Sequence, residues 1–117
     1  MSRDRATAPK LADAAPVFAA LGDATRLSLL RRLSVEGPLS ISRLSDGTGV
    51  TRQAITRHLQ TLGEAGLVRD DRLGRERVFA LDAKRIEKAR QYLDHVAAQW
   101  DAAAARLKAF VEDDEER

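Results

Sequence analysis

Residues 37–68 read GPLSISRLSDGTGVTRQAITRHLQTLGEAGLV, and this stretch decides the fold. Ser40 opens a short segment in which Ile41 and Leu44 lie three apart, and Asp46-Gly47-Thr48-Gly49 closes it as a turn. Thr51 then stands at a capping position, and Ile55, Leu59 and Leu62 follow at i, i+4 and i+7, the buried stripe of a helix running to about Ala65. Gly66 ends that helix. Its opposite side carries Gln53, Thr56, Arg57 and Gln60, with Arg52 near the N-terminal end, and nothing there is apolar enough to seek a core.

Working outward toward the N-terminus, Ala14, Val17, Phe18 and Leu21 form an amphipathic stripe, with Pro16 in a first turn where a missing N–H costs little. Residues 1–12 show no periodicity and are expected to be a mobile arm. Gly22 ends the first helix and Asp23 caps the next, in which Leu27, Leu30 and Leu33, with Leu29 beside them, are expected to face the core. Arg26, Arg31 and Arg32 are expected to face water, and Gly37-Pro38 stops this helix.

On the other side of Gly66 the period changes from 3.6 to 2. Leu67–Asp71 and Arg75–Leu81 read as two strands joined through Arg72-Leu73-Gly74, a hairpin whose tip carries Arg72, Arg75 and Arg77. From Asp82 a long helix places Ile86, Leu93, Trp100 and Leu107 in one heptad register and Ala89, Val96, Ala103 and Phe110 three residues later. Such a seam would expose large apolar groups together unless a second copy covers it, which predicts a homodimer.

The expected organisation is a core domain over residues 13–82, a dimerisation helix over 83–111 and an acidic tail over 112–117. That tail, EDDEER, holds five acids, while residues 1–111 carry 19 basic and 13 acidic side chains. A basic body points first to a polyanionic partner. Among 117 residues there is no cysteine, which excludes disulfides, thiolate metal sites and thiol nucleophiles. No apolar run reaches 18 residues and no secretory signal opens the chain, so a cytoplasmic protein without a membrane partner is expected.

The element order α-α-α-α-β-β-α, mainly α with a small β-hairpin, is that of a winged helix-turn-helix. In such a unit the second helix of the pair lies in the major groove of double-stranded DNA. The residues expected to meet DNA are Thr51, Arg52, Gln53, Thr56, Arg57 and Gln60 on that helix and Arg72, Arg75 and Arg77 on the wing. Arginine pairs with both acceptors of guanine and glutamine with the donor and acceptor of adenine, while arginines at a hairpin tip reach phosphates. A dimer would repeat the arrangement about one helical turn away and favour a two-fold symmetric operator. The competing reading is a winged-helix module for protein interaction or RNA contact. An enzyme has no support from a nucleophile–base constellation, phosphate loop or metal cluster, and no cofactor is expected.

The stretches LGDATRLSLLRRL (21–33), residues 37–68 and the hairpin RDDRLGRERVFALD (69–82) together resemble the ArsR/SmtB family of bacterial transcriptional repressors. The resemblance implies a homodimer that represses its own or a neighbouring operon. It also implies dimer contacts from the first and last helices, at Val17 and Phe18 together with Ile86, Leu93, Val96, Trp100, Leu107 and Phe110. The chain departs from the metal-sensing members, whose ELCVCDL motif aligns with PLSISRL here, so that Ser40 and Ser42 stand at the thiolate positions and cannot replace thiolates for soft metals. On the last helix Asp94 directly precedes His95 and position 106 is Arg106, which does not match the family's second metal site. No regulatory metal is expected, and the resemblance names no effector.

Overall fold

The computed structural model describes residues 11–115. Among these residues five helices and one hairpin follow in the expected order: α1 (Leu11–Leu21), α2 (Ala24–Glu36), α3 (Ile41–Ser45), α4 (Arg52–Glu64), β1 (Val68–Leu73), β2 (Glu76–Leu81) and α5 (Ala83–Glu115). Residues 1–10 of the arm expected over 1–12 lie outside the described residues, and its last two, Leu11 and Ala12, are already helical. The final helix runs through Glu112–Glu115 of the acidic tail, while residues 116–117 lie outside the described residues.

Side-chain caps set three of the helix starts. Asp23 accepts from the Arg26 N–H at 3.0 Å, Ser40 from the Arg43 N–H at 3.2 Å and Thr51 from the Ala54 N–H at 3.1 Å. Each satisfies a donor that the first turn leaves unpaired. Helix α4 ends in a Schellman motif: the Leu67 N–H reaches the Leu62 carbonyl at 2.9 Å and the Gly66 N–H reaches the Gly63 carbonyl at 3.0 Å. That closure requires the left-handed φ of +77° at Gly66, and it folds Leu67 back onto Leu62, both fully buried.

The core gathers Val17 and Ala20 of α1, Leu29, Leu30 and Leu33 of α2, Leu44 of α3, Ile55, Leu59 and Leu62 of α4, and Leu67, Val68 and Phe79 from the hairpin. Leu27 departs from expectation, being 50% exposed. The stripe of α2 that faces inward is 26, 29, 30 and 33, so Arg26 takes the position that had been read for Leu27. Arg26 is not wholly in water: its Nε donates to the Ala20 carbonyl at 2.6 Å and its Nη2 to the Ala19 carbonyl at 3.4 Å, closing the C-terminal end of α1. Arg32 does the same for α3, its Nη1 donating to the Arg43 and Leu44 carbonyls at 3.0 and 3.1 Å. Arg31, by contrast, is exposed as expected.

The strands pair antiparallel, Val68 with Leu81 through Leu73 with Glu76, leaving Gly74-Arg75 as a two-residue turn. The link therefore starts two residues and ends one residue later than the expected Arg72-Leu73-Gly74. Gly74 has φ +66° and Arg75 does not, the pattern of a II′ turn, whose glycine must occupy the first central position. Leu73 and Arg72 accordingly belong to β1. On its outer edge β2 forms one further bridge, with Leu39 and Phe79 exchanging N–H···O bonds at 3.1 and 2.8 Å.

Helix α5 packs on α1 at its start, where Ala89 is buried and the Phe18 and Tyr92 rings lie 5.8 Å apart. From Ala97 to Glu115 every residue is exposed.

Candidate nucleic-acid interface

Helix α4 is divided lengthwise. Ile55, Leu59 and Leu62 are buried, whereas Arg52, Gln53, Arg57 and Gln60 are exposed and Thr56 is half-buried. The cap residue Thr51 is also exposed, its side-chain oxygen engaged by the Ala54 N–H. The structure thus brings all six residues expected on this helix onto its outer side or its N-terminal end. They are not equally free. The Arg52 Nη2 donates to the Ser42 hydroxyl of α3 at 2.7 Å, and the Thr56 hydroxyl donates back to the Arg52 carbonyl at 2.8 Å. Among the described residues Arg57 has no carboxylate within 4.0 Å, and with Gln53 and Gln60 it presents donors at i, i+4 and i+7 along one ridge.

His58 sits between the two sides. Its Nδ1 lies 3.3 Å from Arg26 Nη1, and because a guanidinium only donates, that nitrogen is the acceptor. Together Arg26, Ala54, Arg57, His58 and Thr61 line a concavity of about 300 Å³ on the side of α4 near the α1–α2 junction.

On the other side of α4 lies the hairpin. The register places Val68, Asp70, Arg72, Arg77 and Phe79 on one of its faces, and a cleft of about 310 Å³ between that face and α4 is lined by Thr56, Gln60, Asp70, Arg77 and Phe79 among others. Of the three wing arginines, the guanidinium groups of Arg72 and Arg75 have no carboxylate within 4.0 Å among the described residues. Arg77 is held: its Nε and Nη2 both donate to Asp70, the shortest contact being 2.6 Å, and its guanidinium carbon stands 5.3 Å from the Phe79 ring centroid. The hydrogen bonds from Arg77, reinforced by its charge, hold the Asp70 carboxyl below its ordinary range. Sequence reading assigned Asp70 no role and marked Ser42 only as a vacated thiolate position, not as the partner of Arg52. The signal for Asp70 was within reach, because a turn at Gly74-Arg75 sets it diagonal to Arg77 on one face.

The residues expected at a dimer contact separate into two groups. Val17, at 1% exposure, lies in the core of the protomer and presents almost no surface to a partner. Phe18 and Val96 are half-buried, and Ile86, Leu93, Trp100, Leu107 and Phe110 are exposed, Trp100 at 73%. Among the described residues no three His, Asp or Glu side chains come together as a metal site, and no helix is long and apolar enough to cross a membrane.

Comparison with known proteins agrees with this geometry. The sequence profile of a helix-turn-helix domain matches residues 21–71. The chain is 39% identical over 75 residues to the HTH-type transcriptional regulator Rv2034 of Mycobacterium tuberculosis, covering 64% of this chain and 69% of that protein. An ArsR-like transcriptional regulator from Rhodococcus sp. RHA1 superposes with a TM-score of 0.73 at 36% identity, over 85% of this chain and 92% of that one. A homodimeric winged helix-turn-helix DNA-binding domain, Mb0332 from Mycobacterium bovis, a possible ArsR-family regulator, superposes with a TM-score of 0.59 at 28% identity, over 76% and 81% of the two chains. With its helix order, its two-stranded wing and these relatives, the chain belongs to the ArsR family of winged helix-turn-helix transcriptional regulators.

Proposed function

We propose that this regulator is a homodimeric, cytoplasmic, sequence-specific repressor of its own or a neighbouring operon, without metal sensing and without enzymatic activity. The observation that carries the DNA reading is the exposed ridge Gln53, Arg57, Gln60 on α4, flanked by a wing whose Arg72 and Arg75 take no carboxylate partner among the described residues. In this reading α4 enters the major groove and chooses sequence, and Arg72 and Arg75 of the wing contact phosphates. Arg52, Thr51 and Thr56 stand at the groove-facing N-terminal turns, Arg52 oriented by Ser42.

Two-fold assembly is supported by the apolar seam of α5, where Leu93, Trp100, Leu107 and Phe110 stand exposed, and by the homodimeric state of the Mb0332 domain. A symmetric partner would cover that seam and set two copies of α4 on an operator of matching symmetry. Residues 13–82 then form the DNA-binding unit, 83–111 the dimerisation helix and 112–117 a solvated acidic end. Ser40 supports the absence of a metal at α3, since its side chain is already committed to capping that helix.

The test is fluorescence anisotropy with the duplex upstream of the gene against a scrambled duplex at two salt concentrations. Tighter binding to the native duplex that survives the higher salt, and its loss in Arg57→Ala, is expected. Equal binding to both duplexes by wild type and Arg57→Ala refutes sequence reading by α4 and favours a protein or RNA partner.

A further inference from the structure

Asp70 occupies a place where a phosphate-facing wing has little use for a carboxylate. It shares a hairpin face with Arg72 and Arg77, which stand directly opposite each other in the ladder, and it lines the cleft between that face and α4. Like charges facing each other across two strands repel. Asp70 relieves this by taking Arg77 through both carboxylate oxygens, while the Phe79 ring flanks the same guanidinium. The Arg72 guanidinium, though it adds its charge to the field at Asp70, forms no ion pair within 4.0 Å among the described residues.

We propose that Asp70 is a charge-restraining, specificity-determining residue: it withholds Arg77 from the DNA backbone and keeps phosphates out of the cleft between α4 and the wing. This rests on the DNA-binding reading above. Moving the paired guanidinium from Asp70 to a phosphate trades one anion for another and leaves a bare carboxylate beside that phosphate, whose charge offsets the neutralisation that would release the DNA's condensed cations. The wing therefore engages the backbone through Arg72 and Arg75 alone. Nonspecific binding, which depends on the number of phosphates neutralised, is weaker than a count of wing arginines implies.

The experiment measures the salt dependence of binding to a scrambled duplex and to the native duplex for wild type, Asp70→Asn, Arg77→Ala and the double variant. Each neutralised phosphate contributes about 0.9 to the slope of log affinity against log salt. Asp70→Asn is expected to steepen the slope by about 0.9 per protomer, to tighten binding to the scrambled duplex and to narrow the preference for the native one. Arg77→Ala alone is expected to leave the slope unchanged, and the double variant to return to it. Both side chains are largely exposed and asparagine is isosteric with aspartate, so the fold is retained. A shallower slope in Arg77→Ala alone overturns the proposal, because Arg77 would then already contact a phosphate. So does an unchanged slope in Asp70→Asn. A wild type that binds neither duplex overturns the DNA reading and this proposal together, whereas normal wild-type binding with an unresponsive Asp70→Asn overturns only the latter.

Discussion

Replacing Arg32 by alanine tests how a five-residue helix is held in place. Helix α3 is far shorter than the roughly 12 to 15 residues at which an isolated helix becomes marginally stable. Three anchors fix it: the Ser40 cap at its start, burial of Leu44, and the two hydrogen bonds from Arg32 Nη1 to the Arg43 and Leu44 carbonyls at its end. A hydrogen bond to a charged group contributes about 1.5 to 3 kcal/mol net. The Arg32 side chain keeps 26% of its surface exposed, so water partly replaces it when it is removed, and the pair together is worth about 2 kcal/mol. At roughly 4 °C per kcal/mol for a chain of this size, Arg32→Ala should melt about 8 °C below wild type.

Calorimetry at equal protomer concentration measures this, with two controls. Glu36→Gln removes the 2.9 Å ion pair to Arg32 Nε, leaves the carbonyl bonds in place, and should melt close to wild type. Arg32→Lys supplies one compact ammonium in place of the planar fork and should recover no more than half of the loss. Hydrogen exchange should show α3 amides losing protection before those of α4. The reasoning is refuted if Arg32→Ala melts within about 2 °C of wild type, or if Glu36→Gln falls as far as Arg32→Ala.

The other expectations concern the seam, one glycine and pH. Trp100→Ala, present in both copies of a dimer, should cost about 4 kcal/mol at hot-spot magnitudes, or about a thousandfold in dimer Kd; sedimentation equilibrium checks it, and an unchanged Kd removes Trp100 from the interface. Gly66→Ala forces a side chain into left-handed backbone and sets its Cβ 2.7 Å from Arg85 Cγ, which can swing away, so a loss of about 1 to 2 kcal/mol from the backbone alone should appear in urea unfolding. Asn at this position should lose less. Hydrogen bonds from Arg77 and Arg32 hold the Asp70 and Glu36 carboxyls below their ordinary values. Because the folded pKa is the lower one, their contribution is complete above the unfolded pKa and disappears as pH falls through the folded value. Urea midpoints across the acid limb should therefore decline less steeply in Asp70→Asn than in wild type, and an identical decline contradicts the assignment.

Much of this architecture was legible in the sequence because local signals and burial agree. Asp23, Ser40 and Thr51 cap the helices that their position suggested, and the stripe Ile55, Leu59, Leu62 is buried as its spacing required. The misreadings have physical causes. Leu27 looked apolar enough for the core, but the inward stripe of α2 includes Arg26, whose guanidinium is accommodated by helix-end carbonyls that no sequence pattern reveals. Arg32, expected to face water, is half-buried against helix-end carbonyls for the same reason. The turn falls later than the Arg72-Leu73-Gly74 link expected, because Arg72 and Leu73 extend β1 and a glycine at the first central position fixes the turn at Gly74-Arg75. On the candidate interface the side-chain inventory was readable, while its partition was not. Arg77 and Arg57 look alike in sequence, and only the register shows that one carries a carboxylate partner.

Strand β1 has a consequence for the behaviour of the protein at high concentration. The Leu39 bridge covers part of the outer edge of β2, leaving the outer edge of β1 as the open side of a two-stranded sheet, the usual template for intermolecular strand addition. Arg69, Asp70, Asp71 and Arg72 occupy that edge as four consecutive charges, so a second copy pairing antiparallel with Arg69 opposite Arg72 would also set Asp70 against Asp71, and strand addition elsewhere along the edge would still strip water from charged side chains. The wing thus carries its own protection against fibrillar association, and variants that neutralise this run should aggregate sooner on concentration even where their melting temperature is unchanged.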